Sequence, residues 1–267
     1  MRIQVFIVIA LMVSKIVVSV VYLGYRVADA SSKGMLPLDA ELLKSDWQAV
    51  LANTAYGSIV VAIMCLIYYA VKRRKLNVHI NKNSISCPLV INWCIFTLAL
   101  GFGLRMTLSY LIYFAVQTGI LDDTNAMIQT VETSSSSIEY LIQLLVFTII
   151  VPIYEELFFR KMFVNDLMNV YERKKAIIIA LLGFIMLHTG ANVFYSIAVG
   201  AVAMFVYLKY GNILLGILVH AAFNFAGFTN IPFVNEFPAI TDILYGLSVA
   251  ICVCYIIFFI RKNKKRT

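Results

Sequence analysis

The run Val151-Pro152-Ile153-Tyr154-Glu155-Glu156-Leu157-Phe158-Phe159-Arg160 closes an apolar stretch of about residues 138–160 and sets two carboxylates and a guanidinium inside it. A stretch of that length and apolarity reads as a helix able to cross a bilayer. Within a bilayer every ionisable side chain is costly, and the default reason for keeping one is function. On a helix Glu156 and Arg160 stand four residues apart on one face, so the arginine neutralises that carboxylate and holds it in place. Glu155 points about 100° away. The geometry therefore suggests a division of labour, with Glu156 and Arg160 as a structural pair and Glu155 as the freer carboxylate.

The rest of the 267-residue chain fits a membrane setting. It is 61% hydrophobic and only 13% charged, against roughly a quarter charged in soluble domains, and its mean hydropathy is +0.87. No single aqueous core hides that much apolar surface, so the expected fold class is an all-α, polytopic membrane helix bundle. Eight segments are long or apolar enough to span, at about residues 3–25, 50–71, 89–117, 138–160, 176–192, 194–208, 212–228 and 242–260. The fifth and sixth are nearly continuous and are separated by the polar, helix-weakening run His188-Thr189-Gly190-Ala191-Asn192. Residues 26–49 and 118–137, the latter with Ser134 to Ser137, read as outside loops carrying interfacial helical pieces.

Net charge is +8, from 22 Lys and Arg against 14 Asp and Glu. In a soluble protein that balance suggests nucleic acid. Here the basic residues gather in short segments between apolar runs, as topology signals do, and no nucleic-acid partner is expected. With both termini cytoplasmic, seventeen basic residues fall inside and three, Arg26, Lys33 and Lys44, outside, which supports an even number of spans. The remaining two, Lys15 and Arg105, lie within predicted spans, where each is able to snorkel, line a polar cavity or meet a backbone carbonyl. Arg2, the apolar stretch after it and Ala28-Asp29-Ala30 imitate a secretory signal, but the stretch is too long for a signal core and is broken by Lys15, so it reads as a helix. The five cysteines, Cys65, Cys87, Cys94, Cys252 and Cys254, have neither disulfide-framework nor zinc-module spacing and read as small apolar fillers.

Two further spans carry groups foreign to a bilayer. The fifth contains Phe184-Ile185-Met186-Leu187-His188, and the seventh contains His220-Ala221-Ala222-Phe223-Asn224. Phe184 stands one turn before His188, where its ring presses on the imidazole and excludes water. His220 and Asn224, four apart, put an imidazole and a carboxamide on one helix face. One isolated intramembrane histidine is explained well enough as a hydrogen-bonding glue between helices. Two glutamates, two histidines, an asparagine and a pairing arginine on three helices are not, and point to a functional site. Counted at 1.5 Å per residue from the cytoplasmic ends, His220 lies roughly 12 Å deep, His188 roughly 18 Å and Glu155 only about 8 Å. The fourth helix is therefore expected to continue past Arg160 toward Leu167, or to tilt, and so deepen the glutamates.

The order Glu-Glu-x-x-x-Arg, Phe-x-x-x-His, His-x-x-x-Asn, from Glu155 to Asn224, resembles the CPBP intramembrane proteases, also called the type II CAAX prenyl protease or Abi family. The family-like region runs from about Ile138 to Phe228, which divides the chain into an N-terminal part with three spans (1–137), a catalytic core (138–228) and a C-terminal span with a basic tail (229–267). The resemblance implies proteolysis inside the membrane. Glu155, assisted by His188, would draw a proton from the attacking water, and His220 and Asn224 would donate hydrogen bonds to the oxyanion. Glu156 and Arg160 would fix the base, with Phe184 supporting His188. No cofactor is required by that scheme. A carboxylate and two imidazoles are also a zinc set, with Glu155, His188 and His220 as its ligands, although the His-Glu-x-x-His helix of zincins is absent. Asn224, one turn after His220, reads more naturally as an oxyanion donor and favours the metal-free form.

Two other functions compete. Bacterial relatives of this family are associated with bacteriocin self-immunity and peptide maturation, so a non-catalytic immunity or binding protein on the same fold is one. A proton-coupled transporter is the other, since intramembrane Glu and His also serve as relays, but neither an inverted repeat nor paired broken helices are visible. The complete motifs favour an active endopeptidase. The low charge density and basic inner segments suit a multi-pass protein of a bacterial cytoplasmic membrane, where a leader or signalling-peptide precursor is a better substrate than a prenylated CAAX protein.

Overall fold

A computed structural model describes residues 86–120, 141, 144–188, 192–236 and 238–264, together with Ile63 and Ile67. The expected span at 3–25, that at 50–71 apart from Ile63 and Ile67, Lys15, Cys65, the segment 26–49 and almost all of 118–137 lie outside the described residues. So do Arg2, Arg26, Lys33, Lys44, the basic cluster Lys72 to Lys82, Lys265 and Arg266.

The elements among the described residues are all helical. Helix α1 is Cys87–Gln117. Helix α2, residues 146–168, is one continuous rod made of four segments: π-helical Val146–Ile150, α-helical Val151–Glu156, π-helical Leu157–Phe163 and α-helical Val164–Met168. Helices α3 (Arg173–Ile185), α4 (Asn192–Tyr210), α5 (Ile213–Glu236) and α6 (Pro238–Lys264) follow. Three stretches among the described residues, Cys87–Ala115, Asn192–Tyr210 and Ala239–Arg261, are long and apolar enough to cross a bilayer, with Ile213–Gly227 as a shorter apolar helix. The chain is an integral membrane protein.

The expected boundaries meet these helices with informative differences. The fourth helix does run on past Arg160, reaching Met168, because Phe158, Phe159, Met162, Phe163 and Leu167 extend its buried apolar surface beyond the arginine. The seventh runs to Glu236 rather than stopping near 228. The fifth is shorter than expected, since α3 ends at Ile185 and leaves His188 beyond it.

The described residues fall in two compact units, one holding 144–188 and the other 86–120 and 192–264. In the first, α2 and α3 meet through aromatic rings. Phe159 packs edge-on to Phe158 at 4.9 Å, to Phe163 at 6.0 Å and to Phe184 of α3 at 5.3 Å, in the offset and edge arrangements that ring quadrupoles prefer. Gly183 lets α3 come this close, because a Cβ there would stand 3.2 Å from the Phe163 ring.

In the second unit, α1 packs along α5. At Gly101 an added Cβ would lie 2.7 Å from the Phe223 carbonyl oxygen and 3.3 Å from the Ala226 Cβ, so the two backbones approach through small residues as membrane helices do. Toward one end of the unit Trp93 sits with Val206, Leu215 and Val219 in a buried cluster. Polar groups bind α1 to α6: the Thr107 and Tyr245 hydroxyls lie 3.1 Å apart, Tyr110 donates to Asp242, and Tyr255 donates to the Asn92 carbonyl at 2.9 Å. Helices α4 and α5 are joined by two residues. Gly211 has φ +66°, a conformation that suits glycine, and the Asn212 side chain accepts from the Leu214 and Leu215 amides at 2.9 and 3.2 Å, capping α5. That rigid start fixes the register of His220, two turns into α5.

Candidate active site

In the first unit the sequence puts Glu155 and Glu156 at the end of an α-helical segment and Arg160 inside the π-helical segment that follows. A π-helical turn carries more than four residues and often marks functional positions. It changes which side chains stack without ending the rod. The expected pair forms, with Arg160 Nε 3.2 Å from Glu156 Oε2 and both side chains fully shut off from solvent. Burying two such charges costs several kcal/mol per ion and is sustained only by close mutual compensation. The arginine gains further from Phe184, whose ring centroid lies 4.3 Å from its Cζ, a desolvated cation–π contact.

Glu155 is also buried, with 2% of its surface exposed, and the Tyr154 hydroxyl approaches its Oε1 at 3.4 Å, a long and therefore weak hydrogen bond. Tyr154 was not singled out by sequence. Its only signal there was adjacency to the glutamates.

His188 is held by its own helix end. The last turn of α3 tightens, with the Leu187 and His188 amides donating to the Phe184 and Ile185 carbonyls at 3.3 and 2.9 Å. The imidazole folds back over that turn, and its Nδ1 lies 2.9 Å from the Phe184 carbonyl oxygen. A carbonyl only accepts, so this contact is a hydrogen bond when Nδ1 carries the proton, and in the neutral ring Nε2 is then the acceptor nitrogen. The ring also touches the Phe184 ring, with centroids 4.9 Å apart. Phe184 thus contacts both the Arg160 guanidinium and the His188 imidazole, extending the sequence expectation that it presses on the histidine.

In the second unit His220 is buried, with 2% exposed, and Asn224 half-buried, one turn apart on α5. Position 227, three residues further, is filled by a side chain from another helix. The Arg105 guanidinium of α1 lies against Gly227, where an added Cβ would stand 2.0 Å from Nε and 2.6 Å from Nη2. Its Cζ is 4.6 Å from the Tyr195 ring centroid of α4. Neither Gly227 nor Tyr195 was picked out by sequence, because their relation to Arg105 is made only by the packing of α1, α4 and α5. The described cysteines, Cys87, Cys94, Cys252 and Cys254, are free thiols.

These features define a class before any comparison is made: an integral membrane protein that shuts a carboxylate pair and an arginine into its interior and orients a half-buried imidazole on a backbone carbonyl. Residues 137–226 match the family model described as type II CAAX prenyl endopeptidase Rce1-like. That segment includes all three motifs, and its match supports assignment to the CPBP/CAAX protease family. No curated protein and no solved structure shows significant similarity to it.

Proposed function

We propose that this protein is an intramembrane endopeptidase that cuts a peptide or membrane-protein substrate with water activated by Glu155 and His188. The observation that carries the reading is the pairing of a fully buried Glu156–Arg160 ion pair with a buried Glu155 beside it, an arrangement whose desolvation cost calls for a functional return. Glu155 accepts a proton from water as the oxygen bonds to the scissile carbonyl carbon, then delivers that proton to the departing amide nitrogen. His188, with Nδ1–H bonded to the Phe184 carbonyl, presents Nε2 as a second acceptor that orients the same water. His220 and Asn224 donate hydrogen bonds to the oxyanion as it forms. Arg160 and Phe184 position rather than react.

Zinc is the one cofactor the family raises. The ligands the sequence offers for it are Glu155, His188 and His220, and the water-activation scheme does not require it. The same proposal includes eight spans with both termini cytoplasmic, the division of the chain near residues 137 and 228, and a bacterial cytoplasmic membrane with a peptide precursor as substrate. Single-cysteine accessibility at Lys33, Lys44 and Lys262 positions tests the topology.

The catalytic reading is tested by incubating purified protein with quenched-fluorescent membrane peptides and mapping the products by mass spectrometry. His188→Ala is expected to remain inserted and folded while losing cleavage by at least about 10² fold. Wild-type rates from His188→Ala would overturn the assignment.

A further inference from the structure

We propose that Lys209 binds the phosphate of an acidic phospholipid whose acyl chains lie along the exposed face of α4, at the membrane surface where α1 begins and α4 and α6 end. The site stands apart from the proteolytic chemistry, and its test needs no cleavage.

Three apolar spans of the second unit, Cys87–Ala115, Asn192–Tyr210 and Ala239–Arg261, come together at one end. Near the start of the first, the Trp93 ring centroid stands 6.3 Å from that of Tyr210 and 5.7 Å from that of Phe259, which lie at the ends of the other two. Trp93 Nε1 lies 3.4 Å from the Tyr210 hydroxyl oxygen. Tryptophan and tyrosine gather at the headgroup level of a bilayer, so this end of the unit is a membrane surface. The helix ends that meet there, residues 86–95, 205–216 and 255–264, carry Lys209, Arg261, Lys262 and Lys264 and no Asp or Glu.

A lysine at the end of a span ordinarily stretches its ammonium out to water. Lys209 turns back instead. Its Nζ lies 4.9 Å from the Phe259 ring centroid, 5.1 Å from that of Phe205 and 5.4 Å from that of Tyr210, each within cation–π reach. Ring faces offset its charge from one side but offer no lone pair to its three N–H donors. Among the described residues no carboxylate pairs with it, and the residue remains exposed. The rings therefore hold a reachable cation at headgroup level.

Two features choose the ligand. A choline headgroup is recognised by an open aromatic cage, and these rings already hold the protein's own ammonium, so the partner still missing is an anion. Phe194, Ile197, Ala201, Phe205 and Lys209 are all exposed and spaced three or four apart, so they form one stripe along α4. From Lys209 to Ile197 that stripe runs roughly 18 Å, a little over half of the roughly 30 Å hydrocarbon core, and so spans one leaflet. An apolar track of that length beneath the cation serves a diacyl lipid and does nothing for a soluble phosphate.

The test uses the full chain in an uncharged maltoside detergent, with phosphatidylglycerol and phosphatidylcholine of matched oleoyl chains as probes. Retention is read by native mass spectrometry and stabilisation by melting temperature over a lipid concentration series. Phosphatidylglycerol should bind roughly five- to tenfold more tightly than phosphatidylcholine, as for one lysine making a charge-assisted contact at an anionic lipid surface. Lys209→Gln should bind the two lipids equally, Lys209→Glu should favour phosphatidylcholine, and Lys209→Arg should keep the wild-type preference. Lys262→Gln, which removes one charge from the same basic segment, should leave the preference unchanged.

No preference in the wild type, or an undiminished one in Lys209→Gln and Lys209→Glu, overturns the proposal and leaves Lys209 an ordinary interfacial lysine. An equal loss in Lys262→Gln overturns it in favour of diffuse attraction by the basic tail. Stabilisation by inorganic phosphate that matches phosphatidylglycerol at the same concentration also overturns it, since the occupant would then be a soluble anion.

Discussion

Two arginines inside this protein's helices meet opposite surroundings. Arg160, in the first unit, is fully buried against Glu156 and covered by the Phe184 ring. Arg105, in the second, is covered by the Tyr195 ring and the backbone at Gly227, with no carboxylate beside it among the described residues. An aromatic ring and a close-packed neighbour are common to both, so those contacts do not distinguish their roles. The presence of a compensating carboxylate does. A paired guanidinium is already satisfied and acts on the carboxylate it holds, whereas Arg105 is held by an aromatic ring and a bare stretch of backbone. The difference separates an arginine locked in a buried ion pair from one packed without an ion pair among the described residues.

The sharpest way to break that contrast is to remove Arg160. Arg160→Ala leaves Glu156 as an uncompensated buried charge and should cost about 3–5 kcal/mol of stability together with activity. Adding Glu156→Gln to the same protein should recover most of the stability but not the activity, measured by melting temperature and peptide cleavage on one preparation. If Arg160→Ala melts like wild type, the pair is not structural.

Asn224→Ala should lower turnover by about 10² to 10³ fold with KM nearly unchanged, as for other lost oxyanion donors. Were Glu155, His188 and His220 instead to hold zinc, the same substitution would weaken metal affinity by about 10- to 100-fold and be rescued by added zinc. Elemental analysis and activity after exhaustive chelation separate these outcomes.

Phe184→Leu removes the ring shared by Arg160 and His188 while keeping apolar volume. A loss of about 1–2 kcal/mol is expected from the cation–π contact and packing, with a modest fall in kcat as the imidazole loses its support. The smallest stability effect should come from Arg105→Gln, since no ion pair is lost among the described residues. A melting temperature within about 2 °C of wild type is expected, corresponding to less than about 0.5 kcal/mol. A destabilisation matching that of Arg160→Ala would erase the distinction between the two arginines.

Much of the described fold was legible in the sequence because the bilayer imposes it. The apolar runs near 89–117, 194–208 and 242–260 became α1, α4 and α6 with ends moved by only a few residues, since length and apolarity decide a span. The Glu156–Arg160 pair was legible from its spacing alone. His188 was placed within a helix by its apolar neighbours and instead lies past the end of α3, where its side chain returns to the Phe184 carbonyl; such a cap leaves no apolar period to read. The π-helical turns around Glu155 were invisible for a similar reason. A shift from four-residue to five-residue hydrogen bonding alters neither composition nor polarity. The surroundings of Arg105 were hidden most completely, because Tyr195 and Gly227 come from two other helices and neither is unusual where it stands in the chain.

The central claim, that Glu155 activates water for peptide cleavage, is tested most directly by single-turnover cleavage in H2 18O with wild-type and Glu155→Gln protein, followed by mass spectrometry of the fragments. The wild type should yield an acyl-side fragment carrying one solvent oxygen in its new carboxylate, with no covalent acyl-enzyme detected, and Glu155→Gln should yield no fragment while remaining folded. Cleavage at the wild-type rate by Glu155→Gln, or a trapped acyl-enzyme in the wild type, would contradict the account.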